Sequence, residues 1–235
     1  LGLNLAALKG LKAPWQISEK LRATAAMLID EGGQKQTAAP KAAAASRSRR
    51  LWKLSVIGYT DNPVAESTVH GLLDQFDERG LVKDRDYSAT VQSAHGETAT
   101  LMSILDEELT NKPDMLIALS TPVLQASVQR VTDLPIIFTM VTDPMAAGAG
   151  KSYQEHSPRI TGISTFSDFE GTAKLVRECF PQADAVGTLF TPSEINSVIF
   201  RDALEKAVKA EGLALQSVAA TANSDVPDAI AALLD

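Results

Sequence analysis

From Leu51 onward the sequence repeats one alternation: a short apolar run, a polar turn, then a longer stretch in which apolar residues recur every three or four positions. Short apolar runs bounded by turn residues make buried strands, and the 3.6-residue period makes amphipathic helices. A chain that strings them in this order is expected to lay its strands parallel, because each helix carries the backbone across the sheet to start again. The pattern predicts a strand at Leu54–Tyr59, a helix from Val64 to Glu78 closed by Gly80, and an alternating strand from Asp86 to Gln92. A helix follows from Glu97 to Leu109, with Leu101, Ile104, Leu105 and Leu109 on one face, then a strand from Asp114, a helix to Arg130, and a strand at Pro135–Thr139. A second block is expected to open with the strand-like Thr161-Gly162-Ile163-Ser164 and a helix from Phe169 to Phe180. It continues with strand Ala185–Phe190, helix Asn196–Ala210 ended by Gly212, strand Leu213–Ala219, and a helix from Val226 to Leu234. The fold class is therefore α/β, with two Rossmann-like lobes at 51–160 and 161–235, the second truncated after two of its strands.

Upstream, residues 1–30 read as a helical segment, with Ile17, Leu21, Met27 and Leu28 near helical spacing after Pro14-Trp15. Residues 31–50 read as a linker: Gly32-Gly33, Gln34, Gln36, Pro40, four alanines and a Ser/Arg alternation carry almost no bulky apolar side chain. The alanine run also reads as a short helix. Neither end has the look of a natural terminus, since Leu1 is not a start methionine and Ala229–Asp235 is an apolar helical pattern without a stop.

Composition excludes several classes of function. A net charge of −7 and a single basic cluster, Arg47, Arg49 and Arg50, leave no face suited to neutralising nucleic-acid phosphates. No run reaches the roughly 20 apolar residues of a membrane span. Cys179 is the one cysteine, so neither an intrachain disulfide nor a cysteine-based metal site is available, and its apolar helical setting predicts core packing. His70, His95 and His156 are scattered without ligand spacing, so no metal or other cofactor is called for.

Polar residues collect after strands rather than before them. Tyr59-Thr60-Asp61-Asn62-Pro63 follows the first strand, Ser120-Thr121-Pro122 the third, Val141-Thr142-Asp143-Pro144 the fourth, and Thr191 to Ser197 the first strand of the second block. Open α/β sheets bind ligands at that carboxyl edge, where helix starts also supply free N–H groups and the positive end of the helix dipole. Pro122 suits the first helical position, with Ser120 or Thr121 as cap. Hydroxyls, amides and the carboxylates of Asp143 and Glu194, without Lys or Arg in the same turns, can satisfy a zwitterion: N–H and O–H groups for its carboxylate, an acid for its ammonium. The set is poorly equipped for phosphate, and no glycine-rich phosphate loop is present. The same residues also serve plain structural ends, Asp61-Asn62 and Asp143 as turn formers before proline, Glu194 and Asn196 as caps, Tyr59 as packing. Catalysis is disfavoured, because Ser120 has no histidine in its pattern, no Gly-x-Ser-x-Gly elbow occurs, and Cys179 lacks a nucleophile's setting.

Taken in order, Lys112-Pro113-Asp114, Ser120-Thr121-Pro122, Leu134 to Phe138, Val141-Thr142-Asp143-Pro144, Thr161-Gly162-Ile163-Ser164 and Pro192-Ser193-Glu194-Ile195-Asn196-Ser197 resemble the ABC transporter substrate-binding protein family that includes tryptophan-type aromatic amino-acid binders. The likeness covers about residues 51–235. It implies a class I periplasmic-binding-protein fold, periplasmic or otherwise extracytoplasmic, that closes by a hinge near 140–165 over a small amino-acid-like ligand and delivers it to a membrane ABC permease. By resemblance, the ligand-facing positions are Tyr59, Thr60, Ser120, Thr121, Thr142, Asp143, Glu194, Asn196 and Ser197. A sensory domain of the same architecture is the main alternative, and an enzyme on a similar scaffold a further one. Asn4 to Pro14 and the helix that follows resemble the closing segment of the same family, which implies either the tail of a preceding unit or a rearranged gene; an unrelated helical extension is the plain alternative.

Overall fold

In a computed structural model the protein is described over residues 50–234; the helix expected over 1–30, and the expected linker up to residue 49, lie outside the described residues. Five strands build the first sheet: β1 (Trp52–Gly58), β2 (Tyr87–Ser93), β3 (Met115–Leu119), β4 (Ile136–Val141) and β5 (Ile160–Ser164). They pair in the order β2-β1-β3-β4-β5, every pair parallel. Their connections carry α1 (Pro63–Glu78), α2 (Thr98–Asn111) and α3 (Thr121–Arg130).

Helices cover both faces, which explains the continuous apolar run of β3 and the unbroken burial of β1 from Leu54 to Gly58. On one face Ile57, Leu116, Ala118 and Phe138 pack against Leu101 and Leu105 of α2 and Val123 and Leu124 of α3. On the other, Leu54, Val56, Met115 and Ile117 meet Val69, Leu72, Leu73 and Phe76 of α1. Each fully buried large side chain contributes about 1.5–3 kcal/mol of apolar transfer.

The second lobe holds two parallel strands, β6 (Ala185–Phe190) and β7 (Ala214–Ala219). Around them lie α4 (Phe169–Cys179), α5 (Ile195–Ala210) and α6 (Val226–Leu234), the last reached through a short 3-10 turn at Asn223–Asp225. A small core of Ala173, Ala207, Val208 and Leu213 joins α4 and α5 to β7. No helix among the described residues is long and apolar enough to cross a membrane.

Three expectations are corrected. The strand at Thr161–Ser164, read as the opening of the second block, is the edge strand of the first sheet. Its Gly162 sits opposite Phe138, and a Cβ there would lie against the Phe138 carbonyl and 2.6 Å from the ring's Cγ, so only glycine lets β5 close onto β4. Cys179 is exposed rather than packed in the core: α4 buries only Ala173 within this structure, and Leu175 and Phe180 face outward with it. Finally, α3 starts at Thr121, so Pro122 occupies its second position, and Ser120 precedes it without donating or accepting a side-chain cap.

Candidate ligand-binding site

Because the strands of the first sheet all run the same way, the turns after β1, β3 and β4 lie along one edge. The turn after β3 is the most unusual. Ser120 has φ +102 and ψ 160, a region that glycine alone occupies readily and that costs other residues on the order of 1–3 kcal/mol. Two backbone bonds hold it there: its N–H donates to the Thr139 carbonyl at 3.0 Å, and its carbonyl accepts from Leu124 N at 3.1 Å. The hydroxyl gains nothing in return, since Oγ is buried without a partner.

Neighbouring side chains are committed within their own lobe. Thr121 and Thr142 are both buried, and Thr121 Oγ1 accepts from Thr142 N at 3.2 Å, tying the β3 and β4 turns together. Asp143 Oδ1 accepts from Met145 N at 2.8 Å and Ala146 N at 3.1 Å, the bonds of a turn-forming aspartate. Thr60 is exposed and its Oγ1 accepts from Asn62 Nδ2 at 3.1 Å, while Asn62 Oδ1 caps α1 through Ala65 N at 2.9 Å. Next to them Asp61 pairs with His95 Nδ1. Hydrogen bonds from Ser93 and His95 hold the Asp61 carboxyl below the usual carboxylate range.

In the second lobe, Ser197 Oγ accepts from Thr191 N at 2.8 Å and so fixes the turn after β6. Glu194 precedes α5 without capping it, and its carboxylate accepts from Asn196 Nδ2 at 3.3 Å. Asn196 Oδ1 is buried with no partner.

A hollow of about 260 Å³ lies between the two lobes. Tyr59, Met102, Pro122, Gln125 and Gln129 line it from the first lobe, and Ser193, Glu194 and Ile195 from the second. The half-buried Tyr59 packs on the first core and its hydroxyl stands 3.4 Å from Thr98 Oγ1 at the start of α2. Of the nine residues expected to face a ligand, Tyr59 and Glu194 thus share one hollow. Ser120 lies two residues before Pro122 and Asn196 directly after Ile195, each with an unpartnered oxygen. Thr60 lines a different hollow of about 300 Å³ on the α1 side of the sheet, with Asp61, Glu66 and His70. Gln125 and Gln129 were not expected. Their signal was present as a polar i, i+4 pair on a helix whose Val123, Leu124, Ala126 and Ser127 are buried.

An apolar wall, two amides and a carboxylate at the positive end of α5 suit a small molecule carrying both apolar and charged groups, and the two orphan oxygens belong to residues next to this lining in the chain. Among the described residues, no cluster of His, Cys, Asp and Glu could hold a metal.

Residues 53–235 match the ABC transporter substrate binding protein family, and the chain belongs to it. It is similar to the tyrosine-binding protein of Clostridioides difficile, 27% identical over 187 residues that make up 80% of this chain and 54% of that protein. The crystal structure of a conserved domain protein from Vibrio cholerae aligns with a TM-score of 0.74 at 28% identity, covering 78% of this chain and 62% of that one. A Streptococcus pneumoniae domain solved in complex with L-Trp also aligns at 0.74, with 20% identity and the same coverage, and a leucine-binding protein from Thermotoga maritima at 0.59 with 12% identity; at these identities they speak for the fold alone. This is the class I periplasmic-binding-protein fold, and the chain spans a little over half the length of these relatives.

Proposed function

We propose that this protein acts as the extracytoplasmic solute-binding component of an ABC importer, taking a small zwitterionic amino acid into the hollow between its lobes and presenting it to a membrane permease. The observation that carries this reading is Ser120. A residue held in a glycine-only conformation, with its hydroxyl buried and unpaired, destabilises the ligand-free fold, and such strain collects where a ligand is clamped. The positive end of α3 at the same turn suits the ligand's carboxylate, and Glu194 across the hollow, with the unpartnered Asn196 Oδ1 two residues further on, suits its ammonium. The tyrosine-binding relative favours an aromatic side chain, which Tyr59 and Met102 would accommodate.

The reading is of a binder rather than a catalyst. Ser120 has no general base bonded to it, and His95 is engaged with Asp61 outside the hollow. Micromolar affinity needs about 8 kcal/mol, within reach of a few charge-assisted hydrogen bonds and one apolar contact surface. A thermal-shift series over the proteinogenic amino acids tests it. A ligand at 100 times its dissociation constant adds about 2.7 kcal/mol, so a clear rise in Tm with tyrosine or tryptophan is expected, and a flat series across all amino acids would remove the reading.

A further inference from the structure

Away from the hollow, the first lobe contains a set of oxygen atoms that its own structure leaves unsatisfied. Glu108 is 2% exposed and occupies the core-facing stripe of α2 together with Leu101, Ile104 and Leu105. Its Oε2 accepts a long bond from Thr90 Oγ1 at 3.4 Å, and its Oε1 is buried with no partner. Ser55, 1% exposed, is the register partner of Thr90 on the adjacent strand, so both lie on the sheet face that α2 covers; its Oγ has no partner either. Two residues further along β2, on the same face by strand alternation, the Gln92 Oε1 is a third orphan.

These groups have one chemistry in common. All are oxygens, one is a carboxylate, and no cationic side chain among the described residues is paired with it. An ionised carboxylate shut into an apolar layer formed by Ile57, Leu101, Leu105 and Leu116 is costly unless a proton or a counter-charge enters with it, and only a counter-ion makes the lobe sensitive to the salt. Carboxylate and hydroxyl oxygens are the donors that hard cations select. A divalent ion would replace one uncompensated buried charge with another, because there is a single carboxylate. A monovalent ion leaves the site neutral.

We propose that Glu108, Ser55 and Thr90 form a binding site for a monovalent metal cation of the sodium or potassium class beneath α2, buried at Glu108 and Ser55 and reached from the exposed Thr90 on the edge strand, with Gln92 at its margin. The ion joins the C-terminal half of α2 to β1 and β2, and the stability of the first lobe therefore depends on which cation is present. A buried water would satisfy the hydrogen bonds but would leave the lobe indifferent to the identity of the salt.

The test is thermal unfolding of the whole protein in sodium, potassium and N-methylglucamine chloride at equal ionic strength. The proposal predicts a saturable rise in Tm with sodium or potassium over N-methylglucamine. Glu108→Gln should abolish the difference while folding, and Ser55→Ala should raise the half-saturating concentration about tenfold, the loss of one ligand worth about 1.4 kcal/mol. Equal Tm values in all three salts would overturn it, as would a cation dependence that survives in Glu108→Gln. Should Glu108→Gln fail to fold, sodium-23 line broadening on the wild-type protein, reversed by potassium and shifted to about tenfold higher sodium in Ser55→Ala, decides in its place; an unbroadened wild-type signal together with no potassium effect on Tm counts against the site.

Discussion

Replacing Ser120 with glycine is expected to strengthen the ligand-free fold and weaken the protein's function. At φ +102 and ψ 160 the serine pays strain on the order of 1–3 kcal/mol that glycine does not. Removing the side chain also removes a buried, unpartnered hydroxyl, whose desolvation costs about 1–3 kcal/mol. Against this, glycine gives the unfolded chain more freedom and opposes folding by about 0.5–1 kcal/mol. The balance favours Ser120→Gly by about 1–5 kcal/mol, or a rise of about 2–20 °C in Tm for a chain of this size. Urea denaturation of wild type and variant without ligand measures the first effect, and calorimetric titration with tyrosine or tryptophan the second. Losing a hydrogen bond to a charged ligand group, about 1.5–3 kcal/mol, weakens binding by about 10- to 150-fold. A variant less stable than wild type would refute the strain argument. A more stable variant with unchanged affinity would show that the strain serves something other than this ligand.

Other substitutions probe separate parts of the account. Gly162→Ala should lower stability by about 1–3 kcal/mol or more, because its Cβ meets the Phe138 backbone, whereas Gly71→Ala in α1, with nothing within 4 Å, should raise it by about 0.5–1 kcal/mol; paired melting curves compare them. Glu194→Gln should weaken amino-acid binding by about 10- to 150-fold with little change in Tm, since its one recorded bond is to Asn196. Tyr87 is 3% exposed, and burial, with Asp77 and Asp84 adding, raises its pKa. Below the unfolded value of about 10 both states keep the proton; above it the unfolded chain loses its proton first, so stability declines as pH rises toward the folded value. Denaturation at pH 8 to 11 should show this decline in wild type and a shallower one in Tyr87→Phe.

Local pattern was sufficient for most elements and insufficient for their partners. The fully apolar β3 and the helical stripe of α2 could be read directly, because burial on both faces and the 3.6 period each leave a mark within a dozen residues. Thr161–Ser164 was legible as a strand, but the sheet it joins is decided by the absent Cβ of Gly162 against Phe138, a contact between distant residues. Cys179 looked buried because helical apolar spacing does not say how much of a helix a small lobe covers.

At the candidate site, the polar turns were visible while their use was not. Thr121 and Thr142 answer each other across 21 residues, and Asp143 Oδ1 turns inward on its own loop, bonds that a local pattern does not disclose. Ser120 was legible as a candidate cap and as a ligand-facing position but not as a strained residue, since its dihedral angles are imposed by Thr139 on the neighbouring strand. Gln125 and Gln129 were written in the helix yet needed the Ser193–Ile195 turn opposite them to acquire meaning.

The most direct test of a zwitterion held between the lobes is calorimetric titration of the protein with L-tyrosine, tyramine and 3-(4-hydroxyphenyl)propionate, which differ only in the charged groups they keep. Saturable one-to-one binding of the amino acid is predicted, with each truncated analogue weaker by about 10- to 150-fold, the value of one charged hydrogen-bonding group. Equal affinity for all three, or none for any amino acid, would contradict it.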